Sequence, residues 1–168
     1  MNRLVDQLLR VARLDAVALD VSALVDLSTV ACDVVAYMAP FALANGRSLA
    51  AQGTEQAVVV HGNRHAIEDA IRNLVENAVV YAPPNTEVVV DVNPPGAVNV
   101  VDRGPGIPAG DREHIFDRFW RGRDNPGQGF GLGLAIVSEI MRAHHGSVHV
   151  GNHPSGGAVF TLSFRRTI

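Results

Sequence analysis

The 168 residues, 47% apolar and only 18% charged, suffice for one domain with a full core and are not the composition of a disordered chain. A net charge of -3 gives no electrostatic footprint for nucleic acid, and all 14 basic residues are Arg, which excludes a phosphate loop ending in Gly-Lys-Ser/Thr. No uninterrupted apolar run reaches the roughly 18 residues of a membrane span, and the lone Cys32 is expected to be a small buried apolar residue. The first segment that reads as structure is 4–14, where Leu4, Leu8, Val11 and Leu14 recur at helical spacing and form a stripe that requires a partner. Residues 15–25 read as a connector, and 27–43 as a helix ending near Asn45-Gly46, with Pro40 as a possible kink. Short strands are expected at 48–51 and 57–60, then a helix capped by Asn63 that runs to Tyr81 and stops before Pro83-Pro84. Val-rich strands at 87–92 and 97–101, joined by Asn93-Pro-Pro-Gly96, predict a hairpin in the middle of a sheet. From 103 to about 130 the chain is rich in Gly, Pro, Arg and Asp and reads as a long lid with one helical turn. A helix at 130–143 and a hairpin of 147–150 with 158–164 complete the pattern. The sum is an α/β (α+β) two-layer sandwich: a mixed, mostly antiparallel sheet of about five strands packed on three helices.

Three segments carry the chemistry. In Asn73-Leu-Val-Glu-Asn77-Ala-Val-Val-Tyr81-Ala-Pro83, positions 73, 77, 80 and 81 share one helical face. A carboxamide oxygen there is a hard neutral donor of the kind magnesium accepts beside phosphates, although two Asn on a helix also serve as backbone caps or bridges. Asp102-Arg-Gly104-Pro-Gly106 closes a strand with a carboxylate able to accept from an exocyclic amine such as that of adenine, and its glycines admit a flat ligand close to the backbone; an ordinary Asp before a tight turn is the plainer alternative. Gly129-Phe-Gly131-Leu-Gly133-Leu134 opens a helix, whose free N–H groups and positive dipole end suit a triphosphate. It is not a dinucleotide fingerprint, because Leu134 stands where the last Gly belongs and no strand precedes it. Arg118, Arg121 and Arg123 flank Trp120 on the lid, where guanidinium groups suit phosphates as well as solvent. The seven His form no metal spacing; His144-His145, after a helix and before Gly146, read as a helix-terminal cation or turn residues. No Ser-His-Asp or Cys-His arrangement can be picked out.

In this order the segments resemble the boxes of the catalytic and ATP-binding domain of bacterial two-component sensor histidine kinases, within the GHKL superfamily of Bergerat-fold ATPases. Residues 73–83 resemble the N box, 102–106 the first glycine box, Ile115-Phe-Asp-Arg-Phe-Trp-Arg121 the F box and 129–137 the second glycine box, with 155–160 a weaker third. The resemblance implies that Asn77 binds Mg2+, that Asn73 and Tyr81 sit by phosphates and sugar, and that Asp102 holds the adenine amine beside Gly104 and Gly106. It further implies that Arg118 and Arg121 approach the terminal phosphates, Asn73 and Arg118 being the catalytic pair, while Gly129, Gly131, Leu132, Gly133 and Leu134 fold over ATP. Val80, Phe130 and Ala158 depart from the family pattern, at Val80 by loss of a Lys. ATP-hydrolysing relatives place a general-base Glu where this chain has Asn73.

Residues 1–15 resemble the end of a dimerisation and phosphotransfer helix, leaving 16–168 as the catalytic domain, and the His-Glu/Asp-x-Arg-x-Pro box of the phosphorylated His does not occur. The implied function is donation of the ATP gamma-phosphate to that His, for relay to the Asp of a response regulator. The implied partners are the kinase's own dimerisation domain and a cognate regulator, in a homodimer when full-length and a monomer for this chain alone, with no nucleic acid. The implied location is cytoplasmic, on an inner-membrane kinase. The alternative is a nucleotide-binding module of the same fold that is regulatory or phosphorylates a protein Ser, as anti-sigma-factor kinases do.

Overall fold

The computed structural model describes residues 19–120 and 131–165; the expected opening helix, Arg121, Arg123 and Gly129 lie outside them. The elements are β1 (Leu24–Asp26), α1 (Leu27–Ala44), β2 (Ser48–Gln52), β3 (Val59–His61), α2 (Arg64–Tyr81), β4 (Glu87–Asn93), β5 (Ala97–Val101), α3 (Gly133–Ala143), β6 (Ser147–Asn152) and β7 (Ala158–Ser163).

Helix α1 begins where Asp26 supplies an acceptor to Ser28 N–H at 3.1 Å and Thr29 Oγ1 at 2.6 Å, while the same carboxylate takes Val58 N–H at 3.0 Å and ties the helix to the chain before β3. Such a cap contributes about 1 kcal/mol. The helix continues through Pro40 to Ala44, so the proline neither ends nor shortens it. At 18 residues and a mean hydropathy of 1.6 it meets the length and composition of a membrane span, which the polar interruptions at Ser28, Thr29 and Asp33 concealed in the sequence. Its Leu27, Val30, Ala31, Val34, Met38 and Ala42 belong to the core, so its apolar character serves packing here. Cys32 falls off that stripe and is exposed, against expectation, because a step of 100° per residue turns position 32 away from the core.

Helix α2 is capped as its sequence predicts, Asn63 Oδ1 accepting Ala66 N–H at 3.1 Å, and buries Ala66, Ile67, Ala70, Ile71, Leu74, Val75, Ala78 and Val79. It stops at Ala82, before Pro83, and Arg47 Nε holds the Ala82 carbonyl at 2.9 Å.

The main sheet has five strands in the order β2-β4-β5-β7-β6, antiparallel except for the β2–β4 pair. The expected hairpin β4–β5 is central. Val88, Val90, Val92, Val98, Val100, Phe160 and Leu162 alternate onto the face against the helices and are almost wholly buried, each contributing ~1.5–3 kcal/mol relative to exposure. The other face carries Val89, Asp91 and Asn93 beside Val101, Asn99 and Ala97, and these beside Val159, Thr161 and Ser163. β1 and β3 pair antiparallel as a separate two-stranded sheet. The sequence reading assigned residues 24–25 to a connector and gave the 57–60 strand no partner, because three-residue strands are too short to show a period of two.

His144 corrects the expectation of a helix-terminal cation. It is buried, its Nδ1–H donates to Ile140 O at 2.7 Å and its Nε2 accepts Asn63 N–H at 3.0 Å, so the ring is neutral and joins the end of α3 to the start of α2. Burial holds the imidazole below the ordinary histidine value, opposed by the Ile140 hydrogen bond and assisted by His145. The unfolded chain therefore takes up the proton first: the contribution is full above about pH 6.5 and is lost as pH falls through the lower folded value. The thermal midpoint is expected to fall between about pH 7.5 and 5.5, with a shallower slope in His144→Gln. Equal slopes in scanning calorimetry would show that His144 is not the coupled group. His145, with φ 52, is a turn residue as expected.

Candidate nucleotide site

The polar face of α2 lies between two glycine turns. A Cβ on Gly133 would stand 3.2 Å from Asn73 Oδ1, and a Cβ on Gly104 would stand 2.8 Å from the Tyr81 carbonyl oxygen, so the two ends of the face abut the start of α3 and the turn after β5. Eight residues of helix separate Asn73 from Tyr81, about 12 Å along the axis, the scale of a nucleotide from phosphate to base.

Asn73 Nδ2 donates to the Asp69 carbonyl at 2.7 Å, which fixes the carboxamide and leaves Oδ1 beside Gly133. Half its amide thus serves the helix backbone, the plainer of the two roles open to it. Asn77 is half-buried and makes no side-chain hydrogen bond among the described residues. Tyr81 is half-buried, and Val80, where a family Lys would reach out, is 43% exposed.

Asp102 follows β5 and is 4% exposed. Its backbone N–H donates to Ala158 O at 3.0 Å, and its Oδ1 accepts Gly104 N–H at 2.7 Å and Ala158 N–H at 3.2 Å. Oδ2 has no partner among the described residues. Burial raises the carboxyl above its ordinary value, and the Gly104 and Ala158 N–H groups only partly offset this. An open acceptor held where burial disfavours its charge makes Asp102 a candidate ligand contact.

Beyond it, residues 103–120 run through turns without a regular helix. Ile115 is buried and Phe116 meets Phe160 edge-on at 6.4 Å, which anchors the first part of the predicted lid to the core. Phe119 N–H donates to Gly131 O at 2.9 Å and closes a neck at the base of the segment between them. Gly131 has φ +70, and a Cβ there would stand 2.7 Å from the Trp120 carbonyl oxygen. Arg118 lies 3.8 Å from Glu139 on α3, so an approach to phosphate requires its release from that carboxylate. Leu132 is buried and Leu134 partly so, so any contact of theirs with a ligand would run through the backbone. α3 starts at Gly133 with no side-chain cap hydrogen bond, and the first N–H groups of a helix have no partner within it. The sequence reading missed Glu139, and also Asn152, whose side chain holds Ile107; both sat in segments that read simply as helix and hairpin.

An uncapped helix start, a helical face of amides and a buried carboxylate with one oxygen unpartnered among the described residues, on a two-layer sandwich, are the parts a nucleotide-binding domain uses. Residues 62–168 match the family described as histidine kinase-, DNA gyrase B-, and HSP90-like ATPase, and the chain belongs to it. Within that family it is an ATP-binding domain of the sensor histidine kinase type. It is 36% identical over 162 residues to the probable sensor histidine kinase TcrY of Mycobacterium tuberculosis, covering 92% of this chain and 33% of that protein. It is 40% identical over 110 residues to the sensor-like histidine kinase SenX3 of Mycolicibacterium smegmatis, covering 62% and 29%. The chain thus spans a third or less of these relatives. Among solved structures, full-length ShkA in complex with AMPPNP superposes with a TM-score of 0.75 at 28% identity, over 97% of this chain and 36% of that one. The mycobacterial sensor histidine kinase MprB gives 0.70 at 26%, over 88% and 100%. The alternative of a Ser-phosphorylating or purely regulatory module is not favoured by these names.

Proposed function

We propose that the pocket between α2, the turn after β5 and the start of α3 binds ATP with Mg2+ and presents its gamma-phosphate to a His of the kinase's dimerisation domain. The observation that carries this reading is Asp102: a buried carboxylate with one oxygen tied to two backbone N–H groups and the other open. The open Oδ2 accepts the adenine amine, and Gly104 and Gly106 let the base lie against the backbone. Asn73 and Tyr81 flank sugar and phosphates, and the N–H groups from Gly131 through Leu134 receive phosphate oxygens with Gly129. Among the described residues no three His, Cys, Asp or Glu side chains converge to hold a metal; a cation here relies on phosphate, water and the Asn77 carboxamide, a donor set that suits Mg2+. When bound, that ion neutralises charge on the phosphates.

In the transfer, the bond between the gamma-phosphorus and its bridging oxygen breaks, a phosphorus–nitrogen bond to the imidazole forms and ADP leaves. Positioning and charge stabilisation are the chain's contributions, with Arg118 and Arg121 beside the terminal phosphate. Asn73, where hydrolysing relatives use a Glu, cannot take a proton from water, which favours transfer over hydrolysis. In the whole protein, residues 1–15 complete the dimerisation helix of a homodimer, the domain lies on the cytoplasmic side of a membrane-bound kinase, and the phosphoryl group passes to an Asp of a response regulator.

Calorimetric titration with ATP and a nonhydrolysable analogue tests the pocket. Asn77→Ala is expected to lose the strengthening of ATP binding by magnesium, about tenfold, and to bind adenosine as before. Undiminished magnesium dependence would remove Asn77 from the metal site.

A further inference from the structure

We propose that Asn152 is a positioning residue of the nucleotide site, its carboxamide setting the turn that joins Asp102 to the covering segment. Asn152 ends β6 and lies opposite Ala158 of β7, whose own N–H and carbonyl both bond to Asp102, so the three residues form one row at the end of the sheet. From there the carboxamide reaches Ile107: Oδ1 accepts Ile107 N–H at 2.9 Å and Nδ2 donates to Ile107 O at 3.3 Å. This reproduces in one side chain the two-way exchange of a strand pair. Ile107 makes no backbone–backbone hydrogen bond among the described residues, so the side-chain amide replaces a ladder that the turn lacks. Arg112 Nε adds a bond to the same carbonyl at 3.2 Å.

The contact also shapes the floor. Gly106, at φ +75, lies flat on the carboxamide, where a Cβ would stand 2.8 Å from Oδ1 and 2.9 Å from Cγ. Two residues earlier, Gly104 gives its N–H to Asp102 Oδ1. Releasing Ile107 therefore loosens the turn that orients Asp102, at the base end of the pocket. This role rests on the nucleotide reading above.

The test combines amide exchange with binding of adenosine, ADP and AMPPNP. In Asn152→Ala the Ile107 amide is expected to lose protection, and all three ligands are expected to weaken by a common factor of about five- to tenfold, since they share the adenosine moiety and differ only in phosphate. Asn152→Asp keeps the acceptor for Ile107 N–H and is expected to recover part of both effects, with the protection of β4 and β5 unchanged throughout. Unaltered affinity alongside lost Ile107 protection overturns the proposal, as does a loss of affinity that tracks a general loss of protection in the sheet. Failure of the unaltered chain to bind any of the three overturns the nucleotide reading and this role together; unaltered chain and Asn152→Ala binding alike overturn this role alone.

Discussion

Asp102→Asn is expected to weaken ATP binding on the order of 100-fold while leaving the chain folded. The two halves of that expectation come from the two oxygens. Oδ1 bonds Gly104 N–H and Ala158 N–H, and an amide oxygen in the same place accepts both. Removing a charge that burial disfavours relieves a cost of the folded state, so the thermal midpoint should hold or rise. At the Oδ2 position, however, the variant offers an NH2 group to the adenine amine, donor against donor. An inosine nucleotide, with a carbonyl in place of that amine, should then bind the variant better relative to ATP than it binds the original chain. Calorimetry with ATP and ITP on both proteins decides the matter; undiminished ATP affinity would show that the base lies elsewhere. The raised carboxyl adds a sign for pH. As pH falls into the upper carboxylate range, Asp102 takes up a proton, becomes a donor itself and loses ATP, and the Asn variant should not share that decline.

Among the described glycines, Gly157→Ala should be the most damaging added methyl, costing about 3 kcal/mol or more. The backbone there sits at φ +99, and a Cβ would stand 1.9 Å from the Asp102 carbonyl oxygen, 2.6 Å from its carbonyl carbon and 2.9 Å from Arg103 Cα. Backbone cannot swing aside as a long side chain can. Either β7 parts from β5 at this end or Asp102 is pushed from its place. Denaturant unfolding should reveal the loss directly, and Gly156→Ala is the control: it shares a positive φ of +91 yet has nothing within 4 Å of its Cβ position. Equal losses in the two variants would mean that backbone conformation, not the collision, dominates.

Local signals made most of this fold readable. The Asn63 cap, the stop before Pro83 and the Val-rich β4–β5 hairpin each follow from a few consecutive residues, and the three site segments follow from glycines and amides at fixed offsets. Asn77, Asp102 and Gly133 stand out that way because their chemistry is unusual for their elements; their roles toward a nucleotide are proposals. What escaped notice depends on partners distant in sequence. The parallel β2–β4 pairing, the β1–β3 sheet, the Arg118–Glu139 pair and the neutral His144 between Asn63 and Ile140 involve residues far apart, and no composition or period in one segment announces them. Cys32 shows the limit of residue-type averages: the phase of α1 decides its exposure, and the phase is set by Leu27 and Val30 rather than by the cysteine.

The bond from Phe119 to Gly131 has an evolutionary consequence. Because both ends of the intervening stretch are fastened to one point, a change in its length need not alter the register of α3, and doubling such a loop costs only about 0.6 kcal/mol of closure entropy. Selection can therefore lengthen, shorten or rewrite that stretch while the domain beneath remains the same heritable frame.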